Sequence, residues 1–174
     1  MKITWFGGTT LRIHIGGQIV VVDADAAPEG IDQYELVGGA DRLTALAGDL
    51  PHADGTTWKP RPARRLLDED GTLRNPELWS IGAGTLLVDA DGEAPLLVIG
   101  GAVPALGRWA QGAVVVVLGE TLAERAGRLL DAGGSRLLVL GGSEAELDAA
   151  LAQISGRLDG TGLMALEPGL ALES

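Results

Sequence analysis

The chain has 174 residues, 46% of them hydrophobic and 21% charged, with a net charge of −11. This length and balance fit one soluble domain, 1–174, with a sizeable core and exclude a disordered chain. The acidic surplus argues against a nucleic-acid partner, which needs clustered Lys and Arg, and the absence of cysteine excludes disulfides and thiolate metal sites.

Three short strands open the chain: Lys2 to Phe6 and Thr10 to Ile15 alternate polar and apolar residues, and Gln18 to Asp23 is a β-branched run ending in acid. Gly7-Gly8 and Gly16-Gly17 are the turns between them, since a two-residue hairpin demands positive φ. Ala24 to Glu35, with Pro28 and Gly30, reads as a loop, and Leu43, Leu46 and Leu50 behind Asp41 predict a short helix over 41–50. An exposed loop is expected at 51–78, containing a basic knot (Lys59, Arg61, Arg64, Arg65) and an acidic one (Asp68 to Asp70). Gly84 to Asp89 and Pro95 to Ile99 form a hairpin around Asp91-Gly92; Gly101 to Gln111 is a loop with a helical turn. Ala113 to Leu118, apolar on both faces, is a central strand. A helix over Thr121 to Asp131 stops at Gly133-Gly134, Arg136 to Leu140 is a buried strand, and Ser143 opens a capped helix to Ile154 with Leu147, Leu151 and Ile154 inward. Leu163 to Leu172 adds an edge strand. Hairpins followed by strand-helix-strand-helix describe an α/β (α+β) domain with mixed sheets.

The opening resembles the metallo-β-lactamase superfamily, in its lactonase-like branch of metal-dependent hydrolases. Met1 to Trp5, Gly7, Gly16-Gly17 and Asp23 follow that pattern, whereas Gly8 stands where the family has histidine. The resemblance implies a four-layer αββα sandwich, here truncated, and a two-ion centre built from histidines and aspartates that makes a metal-bound water acidic. The family motif H-x-H-x-D-H follows a short strand after the hairpins. Placed at Glu35 to Arg42, it retains only Asp41, with Gly38 and Ala40 among the substituted positions. A family Gly-Asp pair corresponds to Gly100-Gly101, and a late histidine would fall at Gly141-Gly142. The resemblance therefore implies a degenerate member without metal ligands, cofactor or catalytic residues.

Asp23, Asp25 and Asp41, with the glycine amides at Gly8, Gly38 and Gly101, are the candidate ligand-binding set. The three aspartates could hold one Mg or Ca ion, although acids capping loop amides is the preferred reading. His14 is read as a surface residue, His52 with Asp54 as a solvated pair, and the basic knot as locally ion-paired or solvated. Trp58 is either an interface anchor or packed onto its own sheet. Three functions follow: a non-catalytic protein acting by protein interaction or self-association, a small-molecule binder using the vacant cleft, or a hydrolase with a rebuilt mononuclear site. No apolar run reaches membrane-spanning length and no signal-peptide pattern opens the chain, so a cytoplasmic location without membrane contact is expected.

Overall fold

The computed structural model describes residues 1–62 and 74–174. Three opening strands, β1 (Lys2–Gly7), β2 (Thr10–Ile15) and β3 (Gln18–Val22), form an antiparallel meander. At its second turn Gly16 and Gly17 have φ of 56° and 76°. Both central positions of such a turn lie in left-handed space, which side chains disfavour. The short β4 (Arg42–Thr44) then pairs parallel to β3. In the second sheet, β5 (Glu77–Trp79), β6 (Thr85–Asp89) and β7 (Leu96–Ile99) are antiparallel, and β8 (Val114–Leu118), β9 (Leu137–Gly141) and β10 (Gly162–Ala165) run parallel beyond them. The last strand, β11 (Ala171–Glu173), returns to the first sheet, giving orders β11-β1-β2-β3-β4 and β10-β9-β8-β7-β6-β5.

Alternation along the strands builds two cores. Ile3, Trp5, Leu11, Ile13, Val20 and Val22 face Leu86, Val88, Leu96, Val98, Val114 and Val116 between the sheets. Leu87, Leu97, Ile99, Val115 and Val117 point the other way, onto Leu122, Ala126, Leu129, Ala150 and Ile154. These last five lie on α2 (Leu122–Asp131) and α3 (Glu144–Ile154), which pack on the outer face of the second sheet. α1 (Gln33–Val37), five residues long, sends its buried Leu36 inward, and Arg12 on β2 donates to the Leu36 and Gly38 carbonyl oxygens. The arrangement is a mixed α/β sandwich with two mixed sheets, α2 and α3 covering the second and, among the described residues, the short α1 lying on the first.

The structure departs from the expected elements in five places. Residues 41–50 are not helical: Arg42–Thr44 is an edge strand and Leu43 is 62% exposed. Its three leucines satisfy helical spacing, but the open edge of β3 offers backbone partners that an isolated helical turn lacks. The segment expected as a loop at 24–35 contains a 3-10 turn, Ala24–Ala26, and the start of α1, whose N-cap Asp32 accepts from the amides of Tyr34 and Glu35. The 51–78 segment is not wholly an exposed loop. Glu77–Trp79 is strand, Gly55 is buried, and Trp58 meets Trp109 edge-on with centroids 4.8 Å apart, packing inward. The tail contributes two strands, one to each sheet. Finally, Leu151 faces outward on α3, and Ala150 with Ile154 carries the packing.

Candidate functional site

The C-terminal ends of β3, β4, β7, β8 and β9 reach one rim of the sandwich, where the β1–β2 turn also lies. Contacts at the glycines tie these ends together. A Cβ on Gly100 would stand 2.7 Å from Leu46 Cδ1 and 3.1 Å from Thr9 Cγ2, which joins the end of β7 to the turn after β4 and to the first hairpin. Gly8, Gly119 and Gly142 line one cavity with Trp5 and Glu146, and Glu120 lines both this cavity and the one beside Gly100 and Gly101. The Trp5 indole donates to the Gly8 carbonyl oxygen at 3.1 Å, holding the turn against the inner core.

Of the sequence-derived set, Gly8, Asp23 and Gly101 belong to this rim. Asp23 has φ 50° and accepts from the Leu46 amide at 3.1 Å through its carboxylate, while its carbonyl oxygen accepts from Thr10 Oγ1. It is a loop cap. Asp25 is exposed on the neighbouring 3-10 turn. Asp41 and Gly38 are not at the rim. Asp41 precedes β4 and accepts from the Ile19 amide at 2.8 Å, at the start of β3, whereas Asp23 follows the end of that strand. About four strand residues, on the order of 13 Å, separate the two ends. Gly38 ends α1, and its carbonyl accepts from Arg12 on the sheet's outer face. The three aspartates therefore do not form an oxygen cage.

The misplacement of Asp41 has a structural source. The short strand after the hairpins is β4, so the segment following it is Ala45-Leu46-Ala47-Gly48-Asp49-Leu50, not Glu35 to Arg42. Set against H-x-H-x-D-H, it keeps only Asp49, with alanines at the first two histidine places and leucine at the last. Leu46 is 5% exposed and belongs to the core between the sheets. Among the described residues, no three His, Cys, Asp or Glu side chains come together in a way that could hold a metal ion. Zinc needs three or four nitrogen, sulfur or oxygen donors, and Ala45, Ala47, Leu50, Gly8 and Gly101 offer none from a side chain. The residues at this rim do not fit a two-zinc centre.

The other candidates have local explanations. His52 is exposed and its backbone bridges to Ser80. Asp54 accepts from the amide and hydroxyl of Thr56, and these bonds hold its carboxyl below the usual range. His14 is half-buried, and burial with Arg12 and Lys2 nearby lowers its pKa. In the basic knot, Arg61 donates to Asp89 Oδ2 at 3.1 Å and to the Asp89 carbonyl oxygen at 2.6 Å. Lys59 is exposed, and Arg64, Arg65 and Asp68 to Asp70 lie outside the described residues.

Sequence reading missed Arg125. On α2, Leu122, Arg125, Ala126 and Leu129 stand at i, i+3, i+4 and i+7, so a guanidinium occupies the buried stripe, only 8% exposed. That spacing was the available signal. Burial lowers its pKa, opposed by Glu146, Glu120 and Glu124.

No family model matches the sequence, and no curated protein matches it. Among solved structures the fold is similar to that of a Thermotoga maritima protein described as a candidate Zn-dependent hydrolase of the metallo-beta-lactamase superfamily. The TM-score is 0.55 at 14% identity, covering 96% of this chain and 99% of the other. The fold of this chain is thus metallo-β-lactamase-like.

Proposed function

We propose that this chain is a single-domain, degenerate relative of the lactonase-like metal-dependent hydrolases, which has kept the scaffold without the metal centre and works by binding rather than by hydrolysis. The observation that carries this reading is the segment after β4. Where the scaffold would present imidazoles, the chain has Ala45 and Ala47, and between them Leu46 packs inward against Gly100. Two further positions support it. A Cβ on Gly101 would stand 2.6 Å from the Ala83 carbonyl oxygen, and one on Gly142 would stand 2.9 Å from that of Gly119. Backbone has closed over places that a ligating side chain would need, so restoring one residue would not restore a site.

Association with protein, including a second copy, is the primary mode. Leu43 on β4 and Met164 on β10 are exposed on edge strands, whose unpaired backbone groups favour strand addition. Binding of a small molecule is a second mode, favoured by Arg125 beside the rim, which has no carboxylate partner among the described residues. The test is elemental analysis of protein purified without chelators, with assays on lactone and ester substrates. Substoichiometric metal and no turnover are expected. Stoichiometric zinc, manganese or iron, with hydrolysis lost when it is removed, overturns the reading.

A further inference from the structure

Beside the rim, α2 and the loop following β7 border an open cleft of about 500 Å³ lined by Gly100 to Val103, Glu120, Thr121, Glu124, Arg125 and Arg128. Arg125 is the buried charge in that wall. Its Nη1 donates to the Gly101 carbonyl oxygen at 3.3 Å, a long contact, and this is its one hydrogen bond among the described residues. Nε is buried without a partner, and Nη2 has none either among those residues. The acids nearest to it are engaged elsewhere: Glu124 pairs with Arg128 at 2.7 Å, and Glu146 caps the Leu122 amide at 2.9 Å. Glu120 is exposed.

A guanidinium taken from water needs hydrogen-bonded compensation, which a carboxylate or phosphate oxygen supplies to a terminal nitrogen. Next to it, the amides of Gly101 and Ala102 donate to no acceptor among the described residues. We propose that this cavity binds a small oxyanion-bearing molecule, a carboxylate or a phosphate monoester, held by the Arg125 guanidinium through its terminal nitrogen Nη2. This rests on the reading of the chain as a binding protein and gives that reading its ligand class. Because the chain as a whole is acidic, long-range attraction does not favour an anion here. Recognition has to come from short-range hydrogen bonds, and selectivity between the two anions from their fit.

The test is calorimetric titration of the full-length chain, its metal content measured in the same sample, with inorganic phosphate and separately with succinate. Saturable one-to-one binding of one of them is expected. Arg125→Met should weaken it by roughly tenfold or more, as expected for loss of a charge-assisted pair. Arg125→Lys, which keeps the charge and loses the planar guanidinium, should weaken it less. Glu120→Gln should tighten binding by removing an acid from the cavity wall, a change that a purely structural Arg125 would not produce. Phosphate binding in preference to succinate identifies a phosphate ligand, and the reverse a carboxylate. Failure of both anions to saturate, or binding unaltered in a folded Arg125→Met protein, overturns the proposal and leaves the metal-free reading standing. Stoichiometric metal would sink that reading while the Arg125 comparison keeps its meaning.

Discussion

Two arginines in different parts of the sandwich, Arg61 half-buried and Arg125 buried, are treated in opposite ways. Arg61 brings the 51–62 segment onto the second sheet. Its Nε pairs with Asp89, its terminal nitrogens reach the Asp89 and Asn75 carbonyl oxygens, and Asp91 and Glu77 lie within 4.0 Å. Asp89 in turn accepts from the Arg61 amide at 3.0 Å. Arg125 has one long bond and an orphaned Nε. A buried charge with its partners in the chain serves the fold; one without them is left for something the chain does not supply.

The sharpest way to break this comparison is at Asp89. Asp89→Ala removes the carboxylate that accepts from both the Arg61 amide and its Nε and should cost about 3 kcal/mol in denaturant unfolding, the remaining carbonyl and acidic partners limiting the loss. A loss below about 1 kcal/mol would mean that solvent already carries the charge. Leu46→Ala removes the side chain that fills the rim and should cost about 2–3 kcal/mol, at the low end for buried leucines because the rim can admit water. The paired substitutions Arg61→Met and Arg125→Met sharpen the contrast directly. The first should destabilise, whereas the second should leave stability unchanged or raise it by about 1 kcal/mol, because it removes an unpaired buried charge. Equal losses in the two would erase the distinction.

The smallest effect is at His14. Its pKa is lowered by burial and by Arg12 and Lys2, so near and below the unfolded value of about 6.5 the unfolded chain binds more protons than the folded one. Its contribution is therefore full above that value and declines as pH falls through the lower folded one. His14→Gln should flatten the fall in Tm between neutral pH and mildly acidic pH, and an unchanged slope would assign that fall to other groups.

The same contrast shows how far sequence reading reached. Ser143 was legible as a cap, and its hydroxyl does accept from the Glu146 amide, but the Glu146 carboxylate turns to the start of α2 at Leu122. A capping box is a local pattern, whereas the choice of which helix end to satisfy is made across the domain. The ligand-motif register was misread at Glu35 to Arg42 for a related reason. Only the pairing of Val20, Val21 and Val22 with Arg42, Leu43 and Thr44 shows where the short strand lies, and hence that Ala45 to Leu50 follows it.

What the sequence alone determined is whatever rests on local periodicity and turn chemistry: the opening meander, the buried strands of the second sheet, and helices α2 and α3. These follow from alternation, helical spacing and residue type over a few neighbours. Tertiary structure decided the rest. It made 42–44 a strand, split the tail between two sheets, separated Asp41 from Asp23 by a strand's length, and placed Arg125 against a rim with one long hydrogen bond among the described residues. Each of these depends on which distant backbone edge or side chain lies alongside, a relation that spacing along one chain does not encode.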